Sequence, residues 1–176
     1  LALVAATARP AQAYAAADEL VKSADDEAKL VSAERDEKER DALATALGAG
    51  GTGKGTASAT RGSAGALKDL EKRQKSRATR TGRDALDRSL IDVAGLYRDA
   101  LAVRFGAAAA DSSSGVTLTH PDMADQIREL ATDVRPEGLL LSIQAVLDCR
   151  EALETNVKPR FALAAMVAAL MAARSA

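Results

Sequence analysis

Apolar residues recur every three or four positions along most of this chain, which is the spacing of one face of an α-helix. The first segment with this pattern runs from Pro10 to about Ser32 and places a proline at an early helical position. Its apolar side consists of Ala13, Ala17, Leu20, Val21, Ala24, Ala28 and Val31. Residues 34–41 alternate in charge and lead into residues 42–47, so we expect a second, solvent-facing helix that ends at Gly48.

The central segment, residues 67–105, combines a basic half with an apolar half. The basic half spans residues 72–83 and contains no acid; its charged residues are Lys72, Arg73, Lys75, Arg77, Arg80 and Arg83. Apolar residues then follow at helical spacing: Leu86, Leu90, Val93, Tyr97 and Leu101. This order predicts a basic arm that continues into a packed helix.

The last third of the chain predicts three helices. The first begins near Pro121, the second spans residues 136–155, and the third begins at Pro159. Apolar residues on the second and third cover more than one narrow stripe, so we expect each of these helices to make contacts on two sides. Short connections favour antiparallel packing. The partner-binding residues predicted from this width are Leu139, Leu140, Ile143, Leu147, Arg150, Phe161, Met166 and Leu170.

Two stretches rich in glycine, alanine and serine interrupt the helices, at residues 48–66 and 106–119. We interpret both as flexible connectors, because neither has a periodic apolar pattern. Aromatic residues are 2% of the chain, so alanine and leucine must supply the core, which favours close-packed helices over strands. The predicted fold class is all-α, a helical bundle of about five to seven helices in a single domain over residues 1–176.

Charge and composition exclude several function classes. The net charge is -1, with 24 basic and 25 acidic residues, so the molecule as a whole does not attract nucleic acid or anionic lipid. A single cysteine, Cys149, and a single histidine, His120, give no basis for a disulfide, a metal site or a cofactor, and we interpret His120 as a cap or surface residue. The longest apolar run, residues 161–173, is shorter than the roughly 20 residues of a membrane span. We therefore expect a cytoplasmic protein with no membrane contact, no cofactor and no small-molecule substrate.

The glycine-rich residues 48–56 resemble a phosphate-binding loop. In such a loop, glycines let backbone N–H groups converge on a polyphosphate, and a lysine adds positive charge. The residues at these positions are Gly48, Gly51, Gly53, Lys54 and Thr56. A working loop follows a buried strand, whereas the pattern here predicts a preceding helix, so we interpret the segment as a connector. The alternative is a nucleotide-binding phosphotransferase that uses these residues.

The basic residues 72–83 offer a further alternative, a helical DNA-binding module. Lysine and arginine supply the phosphate contacts that dominate nucleic-acid affinity. No aromatic residues are interleaved with them, so a solvated or acid-paired surface is the simpler interpretation.

Residues 156–163, with the sequence Asn-Val-Lys-Pro-Arg-Phe-Ala-Leu, resemble the Asn-x-x-Pro-x-x-Ala-Leu signature that closes the collar domain of bacterial clamp-loader subunits. Residues 70–80, continued by 84–87 and 96–99, are similar to the delta-prime subunits of DNA polymerase III from high-GC bacteria. The resemblance covers nearly the whole chain. The chain departs from the family at Ala164, where a glutamate is usual, so the resemblance implies the helix packing but not an ion pair there.

The resemblance implies an all-helical collar, which is a non-catalytic oligomerisation domain and not an enzyme. In that family the collars of five subunits form a ring that loads the sliding clamp onto primed DNA during DNA replication. The implied partners are other clamp-loader subunits in a hetero-oligomer, with DNA reached only indirectly; the parent holoenzyme is a DNA-directed DNA polymerase. Residues 1–8 lack an initiator methionine and a basic segment, so we expect the chain to be part of a longer polypeptide. The resemblance implies that ATPase-like and lid domains lie upstream in it.

Overall fold

The computed structural model describes residues 9–47, 56–108, 115–155 and 157–175, apart from the side chains of Pro10 and residues 56–63. Over these ranges it contains five α-helices and no strand, which confirms the all-α prediction. The helices are α1 (Pro10–Ala46), α2 (Thr56–Arg104), α3 (Ala124–Asp133), α4 (Pro136–Glu154) and α5 (Pro159–Ser175), and a 3-10 turn, η1 (Pro121–Met123), precedes α3. None of the helices in these ranges combines the length and the apolar character needed to cross a membrane.

α1 is one uninterrupted helix, so the prediction of two separate helices with a break after Ser32 is wrong. Neither proline nor glycine occurs in α1 after Pro10, so the backbone chemistry does not end the helix there. Ion pairs one turn apart support its charged part; in one of them, Lys38 Nζ lies 2.5 Å from Glu34 Oε1. Such pairs stabilise a helix by roughly 0.2–0.5 kcal/mol each.

α2 begins at Thr56, so the prediction of a connector over residues 48–66 is wrong for its second part. Residues 57–66 contain four alanines, the best helix formers, and no proline. Two glycines in the same stretch cost about 1 kcal/mol each, a penalty that a long helix tolerates.

The helix ends carry recognisable stop and start residues. Gly106 follows α2 with a φ of 67°, a left-handed conformation that glycine adopts without strain, and the N–H of Ala107 donates to the carbonyl of Ala102 at 2.8 Å. All four prolines of the chain stand at the first residue of a helical element. Backbone N–H groups in the first turn of a helix have no acceptor within the helix, so proline, which has no N–H, loses no hydrogen bond there. Its fixed φ also suits the first turn, so these prolines set helix starts that agree with the sequence pattern.

The contacts between residues divide the chain into two compact units. We call Ser23–Ala85 the hairpin unit, and Leu1–Lys22 together with Leu86–Ala176 the terminal unit. Both boundaries between the units fall inside a helix, because α1 and α2 each contribute to both units. No linker-like sequence marks either boundary, so the sequence pattern predicts one domain.

Small side chains lie between the two helices of the hairpin unit. A Cβ on Gly82 of α2 would lie 3.7 Å from the carbonyl oxygen of Ala24 and 3.8 Å from Cβ of Ala28, both on α1. Within the described part of this unit, the buried residues are Ala24, Ala28, Ser32, Leu70, Gln74, Gly82 and Ala85. This composition lets the two helix backbones approach closely.

Polar contacts fix the antiparallel register of the hairpin unit. Arg77 donates from Nη1 and Nη2 to the two carboxylate oxygens of Glu39, at 3.0 and 2.7 Å, and Nη2 also contacts Asp36. Gln74 Nε2 donates to the backbone carbonyl of Asp36 at 2.9 Å. The hydrogen bond from Arg77 lowers the pKa of Glu39 to about 2, so this carboxylate stays ionised at all but strongly acidic pH.

The terminal unit holds the larger apolar core. Its biggest fully buried apolar side chains are Leu86, Leu90, Ile127, Leu139, Val146, Leu163, Val167 and Leu170. Gly138, near the start of α4, lies against Ala173, near the end of α5, so these two helices pack antiparallel, as the sequence predicts. Burying a leucine or valine side chain contributes roughly 1.5–3 kcal/mol, so this core dominates the stability of the unit.

Candidate partner-binding surface

The exposed side of α5 is apolar along most of the helix. Every residue from 161 to 173 is apolar, and charged side chains occur only outside this run, at Arg160 and Arg174. Phe161 is 60% exposed, and the other exposed residues within the run are Ala165, Ala168, Ala169 and Ala172. A surface helix normally presents polar residues to water, so an apolar outer face is typical of a surface that a partner covers.

α4 adds exposed leucines beside polar residues. Leu140 is 56% exposed, and Leu147 is also exposed seven positions later, which is two helical turns along the same side. Between them, Gln144 Nε2 donates to Asp148 Oδ1 at 2.7 Å. The outer side of α4 therefore combines apolar anchors with a polar strip.

The structure separates the eight predicted partner-binding residues by burial. The buried members, which form part of the core, are Leu139, Met166 and Leu170. The half-buried members are Ile143 and Arg150. The exposed members are Leu140, Leu147 and Phe161. Among the eight, only the exposed members present 42% or more of their surface to solvent.

Arg150 forms a contact within the chain. Its Nε and Nη2 donate to the two carboxylate oxygens of Asp87 on α2, at 2.6 and 3.1 Å. These hydrogen bonds raise the pKa of Arg150 above its ordinary value. Arg150 therefore links α4 to α2 and is not a free charge at the surface.

Cys149 is buried in α4, and burial raises the pKa of its thiol to about 11. The thiolate is the reactive form of cysteine, so the native thiol is expected to be a poor nucleophile at neutral pH. We expect an aromatic disulfide reagent to modify the native chain about 100-fold more slowly than the guanidinium-unfolded chain. The absorbance of the released thiol measures both rates, and equal rates would contradict a protected Cys149.

Asp99 ties the segment before η1 to α2. Its carboxylate is fully buried, and Oδ2 accepts the backbone N–H groups of Thr119 at 2.7 Å and His120 at 3.0 Å. Arg98 Nη1 donates to Asp99 Oδ1 at 2.7 Å. Asp99 is not among the residues predicted from the sequence. The feature that could have indicated it is an acidic residue among apolar residues of α2 that are buried. A carboxylate is buried at such a position only when hydrogen-bond or ion-pair partners surround it.

His120 lies over a glycine of α2. A Cβ on Gly95 would lie 2.8 Å from Cε1 of the His120 ring, so the ring occupies space that only glycine leaves open. His120 stands at the N-cap position of η1 but its side chain makes no capping hydrogen bond. Its Nδ1 is 3.7 Å from Asp99 Oδ2, too long for a hydrogen bond. The half-buried ring therefore serves packing at the end of the connector.

The basic arm predicted from the sequence lies on α2 in the hairpin unit. Its exposed members are Lys72, Arg73, Lys75 and Arg80, and its half-buried members are Arg77 and Arg83. The pairing of Arg77 with Asp36 and Glu39 favours the acid-paired interpretation of this segment.

The glycine-rich loop falls mostly outside the described residues. These outside residues include Gly48, Gly51, Gly53 and Lys54, whereas Thr56 is the first residue of α2. The element before the loop is a helix, as predicted, because α1 continues to Ala46.

Comparison with protein-family models, curated proteins and solved structures found no match for this chain. The described ranges contain no group of three or more histidine, cysteine, aspartate and glutamate side chains placed to hold a metal ion. The resemblance to clamp-loader collars therefore stays an expectation from sequence.

Proposed function

We propose that this chain is a non-catalytic oligomerisation domain that binds other helical subunits through the exposed sides of α4 and α5. The apolar outer face of α5, from Phe161 to Ala172, carries the proposal. Leaving such a face in water forgoes hydrophobic stabilisation that a partner helix supplies.

The shape of this surface suits a helical partner. Alanines along the outer side of α5 let another helix approach closely, while Phe161 and Leu140 supply larger anchors of the kind that dominate binding energy. Both helices are fixed by their own antiparallel packing, so the surface is formed before binding and loses little conformational entropy.

The sequence resemblance supplies the class of partner. In this proposal the partners are the other subunits of a bacterial clamp loader, whose ring loads the sliding clamp onto primed DNA. The chain contributes binding and no chemical step, and DNA is contacted through the assembled complex. The residues that carry the partner contact are Leu140, Leu147 and Phe161.

Binding to purified clamp-loader subunits encoded by the same genome tests the proposal. We expect a stable complex by size-exclusion chromatography with light scattering. Leu140→Glu and Phe161→Glu are each expected to weaken it about 100-fold, or about 2.7 kcal/mol, because each places a carboxylate in an apolar contact. Both residues are exposed, so the variants are expected to keep their helical circular dichroism.

Leu30→Glu is the matched control. Leu30 is an exposed leucine on α1 in the hairpin unit, and its replacement is expected to leave the complex intact. A wild-type chain that forms no complex, or a Leu30→Glu variant as weak as Leu140→Glu, would overturn the proposal.

A further inference from the structure

An open groove runs along one side of the hairpin unit, between its two helices. The small residues that line it are Ser32 and Ala33 of α1 and Ala78 of α2. Charged residues line its two edges, among them Glu37 and Arg40 on α1 and Glu71 and Lys75 on α2. A groove lined by small residues lets another helix pack close to both helices.

These four charges lack partners within the described part of the chain. Glu37, Arg40, Glu71 and Lys75 make no side-chain hydrogen bond or ion pair to any residue in those ranges. Deeper between the two helices, Arg77 pairs with Glu39. The four groove-edge charges are therefore available to charges of a partner.

A buried amide also faces the groove. Gln74 is 4% exposed and lines the groove, and its Nε2 donates a hydrogen bond to the backbone carbonyl of Asp36. Its Oε1 accepts no hydrogen bond from the described residues. A buried carbonyl without a donor is costly, so Gln74 is a point of incomplete polar pairing between α1 and α2.

The order of charges on the two edges is complementary. The Gln74 to Asp36 hydrogen bond sets the antiparallel register, which places Glu37 level with Lys75 and Arg40 level with Glu71. A second chain related by a two-fold axis parallel to the helices would bring its α2 edge to the α1 edge of the first at the same level. Each acid then meets a base, and each pair occurs twice.

The wider charge distribution favours the same occupant. Residues 23–46 of α1 carry eight acids and four bases, whereas residues 64–85 of α2 carry seven bases and three acids. The hairpin unit is therefore acidic along one helix and basic along the other. A second copy would place its basic α2 against the acidic α1 of the first and its acidic α1 against the basic α2. A partner with charge of one sign would be complementary to only one of the two helices.

We propose that the hairpin unit is a self-association surface, at which the groove of one chain receives the hairpin unit of a second copy with Glu37 opposite Lys75 and Arg40 opposite Glu71. This proposal concerns the hairpin unit alone. It is independent of the contact that α4 and α5 of the terminal unit make with other subunits.

Charge reversal and its rescue test the proposal on the 176-residue chain without other subunits. Light scattering after size exclusion is expected to give a dimer for the wild-type chain. Glu37→Lys and Lys75→Glu are each expected to weaken that dimer on the order of tenfold, because two symmetric attractions become repulsions. An equimolar mixture of the two variants, and the double variant in one chain, are both expected to restore the dimer.

Glu151→Lys is the control with the same charge change on α4, and Leu140→Glu is the control for the subunit-binding face. Both are expected to leave self-association unchanged. The proposal is overturned by a monomeric wild-type chain at micromolar concentration, by a Glu37→Lys variant whose dimer dissociation constant equals that of the wild type, or by a mixture of the two single variants that associates no more tightly than either variant alone. Equal weakening by Glu151→Lys would also overturn it.

Discussion

Replacing Asp99 with alanine is expected to lower the free energy of unfolding of the terminal unit by about 3 kcal/mol. The change removes a buried carboxylate that accepts two backbone N–H groups, from Thr119 and His120. Those N–H groups then lose their partner beside the end of the connector, and Arg98 loses an acceptor. Urea denaturation followed by circular dichroism measures the loss.

Asp92→Ala provides the control for this prediction. Asp92 lies on the same helix, its side chain is mostly exposed, and its Oδ1 is 3.8 Å from His120 Nε2. Its replacement is expected to change stability by about 0.5 kcal/mol or less. Hydrogen exchange gives a second measurement, since the amides of Thr119 and His120 should lose protection in Asp99→Ala. Retained protection would show that Asp99 does not hold the segment.

Replacing Gly138 with alanine is expected to destabilise the chain by about 2–3 kcal/mol. The added Cβ would lie 2.9 Å from Cγ1 of Val134 and closer still to the carbonyl oxygen of Ala173. A backbone oxygen cannot turn away as a side chain can, so α4 and α5 must separate. Thermal and urea unfolding measure the effect.

Gly65→Ala is the matched control, and its expected sign is opposite. Gly65 lies within α2, and no heavy atom lies within 4 Å of the Cβ position. Alanine there is expected to stabilise the helix by about 0.5–1 kcal/mol, because it lowers the conformational entropy of the unfolded chain. If both glycine replacements had the same effect, the close contact at Gly138 would not be the cause.

The sequence predicts the presence of helices better than their limits. Proline marks the starts of α1, α4 and α5, and the apolar period marks their buried sides, so these elements follow from local chemistry. Local chemistry does not predict that α1 continues past Ser32 or that α2 starts at Thr56. A charged stretch or an alanine-glycine stretch is compatible with either a helix or a connector.

The candidate surface is predictable only in outline. The width of the apolar faces predicts contacts on two sides of α4 and α5. It does not separate Leu139, which is buried, from Leu140, which is exposed, because adjacent residues of a wide face divide according to where the neighbouring helices lie. Asp99 and Gly138 matter through contacts with distant residues, and spacing along the chain does not reveal such contacts.

The small residues between the helices of the hairpin unit also affect how that unit responds to temperature. Separating Ala24 and Ala28 from Gly82 exposes little apolar surface to water. The heat capacity change of unfolding depends chiefly on the apolar surface that becomes exposed. The free energy of unfolding of this unit should therefore vary less with temperature than that of the leucine-rich terminal unit, both on cooling and on warming from room temperature.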